Sequence, residues 1–177
     1  MKRLPMCLGI AAAVVLAGCS SSKTSTAPST ATTSASGATT APCATAALAA
    51  SLGRPDGTAG TIYYPVNLRN TGSSTCTIQG YPGVSFVAGA DNHQVGQAAE
   101  HDPGSTATVT LSPGQSASAT LGIVDAGNFP GDCQRTPVSG LQSTPPGQTA
   151  SLVIAHADTA CANPQYSTLH VGPFASA

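Results

Sequence analysis

Past residue 43 the chain alternates between apolar and polar positions. Ile62, Tyr64, Val66 and Leu68 are interleaved with Tyr63, Pro65, Asn67 and Arg69, the period of two that sets one face of a β-strand on a core and leaves the other in water. The same alternation returns at Ala107, Val109 and Leu111, at Ala117, Ala119, Leu121 and Ile123, and at Ala150, Leu152 and Ile154, with shorter runs from Val84 to Val87 and Leu169 to Val171. No stretch of this region keeps a helical period for three turns. The 44–50 stretch ATAALAA holds helix formers but is short and precedes a turn containing Gly53, and it reads as a first strand. Tyr81-Pro82-Gly83, Ser112-Pro113-Gly114 and Pro145-Pro146-Gly147 each place Pro and Gly where a type II turn needs a fixed φ followed by a positive one. The last two continue alike, PGQSAS beside PGQTAS, a likeness that turn chemistry explains without a duplication. Seven to eight short strands with turns between them predict an all-β domain, an antiparallel immunoglobulin-like β-sandwich over residues 43–177.

The start of the chain has another character. Lys2 and Arg3 precede an apolar run from Leu8 to Ala17 that is too short to span a bilayer. It ends in Leu16-Ala17-Gly18-Cys19, which resembles the lipobox of bacterial lipoproteins. That resemblance implies a signal peptide over 1–18, cleavage before Cys19, and acyl chains on the Cys19 thiol that bury enough methylenes for stable membrane anchoring. Cys7 falls in the discarded peptide and serves as an apolar filler. Residues 20–42, SSSKTSTAPSTATTSASGATTAP, contain no large apolar side chain and cannot build a core. With Cys19 they form a tether over 19–42, a flexible or partly polyproline spacer with the Ser/Thr/Pro density of an O-glycosylated stalk.

Composition narrows the function classes. Of 177 residues, 41% are hydrophobic but only 7% charged and 4% aromatic, and the net charge is −1. A disordered chain would pair low hydrophobicity with high net charge, so much of this one should fold. Six Lys and Arg against seven Asp and Glu leave no basic surface for a phosphate backbone, which excludes nucleic acid as a partner. Counted from Cys19, Lys23, Arg54, Arg69 and Arg135 stand against seven acids, a formal −3, so anionic lipid headgroups add no attraction. The region from Cys43 contains no Lys. Its surface must be hydroxyl and amide groups, suited to hydrogen bonding with polysaccharide.

With Cys7 in the signal and Cys19 on lipid, Cys43, Cys76, Cys133 and Cys161 remain, an even set that reads as disulfides in an exported domain. Four cysteines allow three connectivities, and spacing does not choose. We favour Cys43 with Cys76, pinning the N-terminal strand to the one after the Asn70-Thr71-Gly72 turn, and Cys133 with Cys161, closing the C-terminal segment onto the sheet. The absence of a CxxC spacing argues against a cysteine zinc site. The blocks Leu68-Arg69-Asn70-Thr71-Gly72, Cys76-Thr77-Ile78-Gln79-Gly80-Tyr81-Pro82-Gly83-Val84 and Val109-Thr110-Leu111-Ser112-Pro113-Gly114-Gln115-Ser116-Ala117 resemble the actinobacterial exported proteins that share domain of unknown function 4232. The likeness runs from Cys43 to about Val171 and departs at 89–105, GADNHQVGQAAEHDPGS, where no shared motif is found. It supports an Asn-containing turn before Cys76 and the favoured cysteine pairing; it implies no activity.

The chain carries no GxSxG, HExxH, GxGxxG or GxxxxGK[ST] pattern. Ser85, in Gly83-Val84-Ser85-Phe86-Val87, lacks the second glycine of a nucleophile elbow and reads as a solvent-facing strand residue. The densest polar cluster is Asp91, His93, Glu100, His101 and Asp102 in a single predicted loop. Of these, Asp91, His93, Glu100 and His101 form an alternative ligand set for zinc or copper. His156 and Asp158 are a weaker version, and His170, between Leu169 and Val171, should face away from the core. The expectation is therefore a lipoprotein on the outer face of the cytoplasmic membrane, held by acyl chains on Cys19, needing no cofactor and catalysing no reaction. It would act as a monomeric binding or structural module for an envelope protein or polymer, with a metal-binding lipoprotein as the alternative and an envelope-polymer enzyme third.

Overall fold

In the computed structural model residues 39–58 and 60–177 are described. The expected signal peptide, the expected lipidation site Cys19 and the expected tether up to residue 38 lie outside them. Among the described residues thirteen strands follow in order: β1 (Leu48–Leu52), β2 (Asp56–Thr58), β3 (Thr61–Asn70), β4 (Cys76–Ile78), β5 (Gly83–Ala88), β6 (His93–Val95), β7 (Glu100–His101), β8 (Val109–Leu111), β9 (Ser116–Val124), β10 (Arg135–Thr144), β11 (Leu152–Cys161), β12 (Leu169–Val171) and β13 (Ala175–Ser176). Single turns of 3₁₀ helix occur at Thr45–Ala47, Ala126–Asn128 and Gly131–Cys133.

The larger sheet has seven strands in the order β1-β3-β9-β12-β7, with β2 added to β3 and β13 to β9; the smaller runs β11-β10-β5-β6, and β4 pairs with β8. One core cluster joins the two main sheets, so the fold is an all-β sandwich. Its centre follows from the alternation in β3 and β9. Antiparallel pairing sets Leu68 opposite Ala117, Val66 opposite Ala119, Tyr64 opposite Leu121 and Ile62 opposite Ile123; Ile62, expected on the core face, lies near the end of the ladder and is 46% exposed. In the first two of these pairs a small residue faces a larger one, a condition for interdigitated packing. From the smaller sheet Phe86, Val84, Leu141 and Ile154 close the core, all buried.

The strand count exceeds seven to eight because β2, β4, β6, β7 and β13 are segments of two or three residues, too short to show a period. One pairing departs from the antiparallel rule: β7 runs parallel to β12. The 44–50 stretch is half as expected, with 3₁₀ geometry at Thr45–Ala47 and strand from Leu48. Ala107 and Ala150 are exposed and precede their strands. Of the three predicted turns, Gly114 and Gly147 take positive φ, 84° and 70°, closed by Gln115 N–H to Ser112 O and Gln148 N–H to Pro145 O. At the third, Gly83 instead begins β5 and the positive φ of 110° falls on Gly80. Ser85 does not face solvent. It is 5% exposed, because β5 is an inner strand between β10 and β6 and both of its faces are covered.

β10 is the strand that the alternation missed. A bulge between Val138 and Gly140 shifts the register against β11, so the buried Val138 and Leu141 stand three apart, not two. Gly140 makes the bend possible: a Cβ there would lie 2.9 Å from the Ile154 carbonyl.

The cysteines pair as favoured, Cys43–Cys76 and Cys133–Cys161. In the chain-entropy model loops of this length contribute on the order of 3 to 4 kcal/mol each. The first disulfide stands beside a backbone clamp, in which Cys43 N–H donates to Thr77 O and Thr77 N–H to Ala41 O, both at 2.9 Å. The second sits in a satellite core with Ala126, Phe129 and Tyr166, where Arg135 Nε donates to Ala126 O at 2.9 Å and its Nη2 to Phe129 O at 2.6 Å.

Asn70 holds the other end of β3. It is 0% exposed, and its Nδ2 donates to Ser74 O and Leu111 O while its Oδ1 accepts from Gly72 N–H, each at 2.9 Å. Its main chain bonds the 112–115 turn through Gly114 N–H and Gln115 O. The Asn-Thr-Gly segment is therefore a junction of β3, β4, β8 and the turn into β9, with both amide donors and the carbonyl oxygen of Asn70 bonded.

Candidate binding face

The polar cluster of the sequence is divided by the fold. Asp91 and His93 lie on the β5–β6 hairpin, where His93 Nδ1 meets Asp91 Oδ1 at 2.9 Å with both side chains largely in water. The hydrogen bond from His93 holds the Asp91 carboxyl below its ordinary range. Glu100 and His101 are on β7 in the other sheet, and His101 stacks on Tyr81 with ring centroids 4.3 Å apart. Among the described residues no three His, Cys, Asp or Glu side chains converge in a way that could hold a metal.

A different grouping comes together on the outer face of the larger sheet. Tyr63 on β3 and His170 on β12 both lie opposite Gly122 of β9, so the three positions share a face on adjacent strands. A Cβ on Gly122 would collide with the His170 ring, and the missing side chain is what lets the imidazole lie on the sheet. His170 Nδ1 is 2.8 Å from Asp102 Oδ2, and Tyr63 meets the ring edge-on at 5.6 Å. An ionised carboxylate only accepts, so Nδ1 donates this hydrogen bond. Nε2 makes no hydrogen bond among the described residues. Asp102 is fixed in turn: its N–H donates to Val171 O, and Tyr81 donates its hydroxyl to Asp102 O at 2.9 Å. Beside Tyr63 a shallow depression of about 350 Å³ is lined by Arg54, Asp56, Tyr63, Tyr64, Pro65 and Thr120.

Tyr64, next in sequence, points the opposite way and meets a second pair. Its ring is edge-on to His156 at 5.1 Å, and His156 Nε2 is 3.4 Å from Asp158 Oδ2 without forming a hydrogen bond although buried. Next to it, Ile62, Ile123, Asp125, Asp158 and Thr159 line a cleft of about 350 Å³ at the end of the sandwich. His170 faces outward as its place between Leu169 and Val171 predicts. Its partners were not legible, because Tyr63, Asp102 and Gly122 come from strands far apart in the chain; the only local signal was an isolated glycine inside an alternating run.

The fold and this face define a disulfide-stapled, two-sheet β-sandwich domain. Residues 43–175 match the family described as domain of unknown function DUF4232, and the chain belongs to it. Neither a curated protein nor a solved structure matches the chain.

Proposed function

We propose that the protein is a lipid-anchored, non-enzymatic binding module of the cell envelope, held on the outer face of the cytoplasmic membrane through acyl chains on Cys19. The observation that carries this reading is the junction where the tether enters the domain. Ala41 and Cys43 run along β4 through two backbone hydrogen bonds, and the Cys43–Cys76 bridge crosses the same point. A pull transmitted along residues 20–40 would load bonds that break only together, together with a covalent link, so the entry point is built to carry tension. The second disulfide adds to this, since both bonds persist in an oxidising compartment and not in the cytosol. The Leu16-Ala17-Gly18-Cys19 box supplies the anchor.

The test is replacement of the lipidated thiol. Cys19→Ala should send the protein from the membrane fraction into the medium with its disulfides intact. Retention of the variant on membranes would overturn the anchoring.

A further inference from the structure

We infer that the outer face carrying Tyr63, His170 and Asp102 binds a neutral polyhydroxylated ligand, a saccharide chain of the envelope. This rests on the binding-module reading and names the ligand class and the site. The first reason is that the imidazole is held for an outward task. A glycine in the middle of β9 costs conformational entropy, and the space of its missing side chain is filled by the His170 ring. Asp102 accepts from Nδ1, and Nε2, lying over Gly122, makes no hydrogen bond among the described residues. A sugar hydroxyl, which both donates and accepts, can meet that nitrogen.

The second reason is the depression on the other side of Tyr63. Arg54 offers donors, Asp56 acceptors, Thr120 and Tyr63 hydroxyls that do both, and Pro65 and the tyrosine ring give apolar carbon. The opposite charges of Arg54 and Asp56 cancel, which favours neither phosphate nor ammonium. Alternating donors and acceptors around flat apolar carbon match a sugar ring, whose hydroxyls donate and accept and whose C–H face is apolar. Acidic polymers are disfavoured further: from Cys43 onward three Arg stand against seven acids, a formal −4. The setting is also open. A row across adjacent strands of one sheet face leaves room for a chain to extend in both directions.

The experiment uses the full chain in a zwitterionic, sugar-free detergent, with maltohexaose and cellohexaose as probes and a polygalacturonate oligomer as the anionic control. Amide and imidazole NMR signals should shift at Tyr63, Gly122 and His170 with at least one neutral hexasaccharide. His170→Ala should weaken that affinity tenfold or more. Tyr63→Phe, which keeps the ring and the fold, should weaken it several-fold. Asp102 is a positioning residue: Asp102→Asn should shift the ¹⁵N signature of His170 away from the Nδ1–H form and weaken binding less than His170→Ala. No shift with either hexasaccharide at millimolar concentration, shifts elsewhere on the domain, or binding of polygalacturonate alone would overturn the inference. Membrane retention of the full chain is read separately, so failure here leaves the anchored-module proposal standing.

Discussion

Replacing Asn70 with aspartate changes one atom pair and should turn a satisfied junction into a pH-dependent defect. In the native protein the amide donates to Ser74 O and Leu111 O at 2.9 Å each, at a side chain with no exposure. A carboxylate would point an anionic oxygen at two carbonyls in a buried site, so the group would take up a proton in the folded state. Its single O–H can satisfy one carbonyl and leaves the other without a donor. One lost bond to a buried acceptor costs about 1 to 2 kcal/mol at any pH. Keeping the carboxyl protonated at pH 7, about three units above the ordinary aspartate value, costs up to about 4 kcal/mol more at about 1.4 kcal/mol per unit. The folded-state pKa is raised, so below about pH 4 only the fixed deficit of the lost bond remains, and further stability is lost as pH rises from the ordinary carboxylate value toward the folded one. For a domain of this size about 3 °C of Tm corresponds to 1 kcal/mol. Asn70→Asp should therefore melt about 3 to 6 °C below wild type at pH 3 and about 15 °C below it at pH 7. Thermal denaturation followed by circular dichroism, with both proteins oxidised and compared at each pH, reads this directly. Asn70→Ala should show a deficit that does not change with pH. A gap at pH 7 no larger than that at pH 3 would refute the placement of two carbonyls against the amide.

Other expectations follow from single features. Gly122→Ala should displace the His170 ring and cost about 1 to 3 kcal/mol, as forced overpacking does; unchanged His170 NMR signals would count against the seating of the ring on the sheet. Replacing Cys133 and Cys161 together by serine should cost about 3 kcal/mol and loosen the satellite core, checked by denaturant titration beside the intact protein. Because the hydrogen bond from His93 lowers the Asp91 pKa, His93→Ala should raise it toward the ordinary carboxylate range in an NMR titration; both groups are exposed, so stability should not move. The Tyr166 hydroxyl donates to Asp132 Oδ1 at 2.8 Å, which raises its pKa, and Asp132→Asn should bring phenolate formation to lower pH in an ultraviolet titration.

The sequence by itself determined the class of the fold, most of its central strands and the even set of cysteines. Those signals are local. A period of two in β3 and β9, a Pro-Gly pair closing a turn, and an even set of cysteines outside any CxxC spacing each state their physics within a few residues. What only the tertiary structure decided is non-local. The bulge at Gly140 put Val138 and Leu141 out of period and hid a ten-residue strand. Ser85 is buried because both faces of its strand are covered, which no property of Gly-Val-Ser-Phe-Val announces. The run from Asp91 to Asp102 read as one loop, yet its first half belongs to the smaller sheet and its second to the larger, so side chains close in sequence are separated in space. Conversely Tyr63, Asp102 and His170 meet through strand pairing at Gly122. Periodicity reports which face a residue takes on its own strand; which strands lie side by side is set by long-range pairing and packing, and that order makes the candidate site.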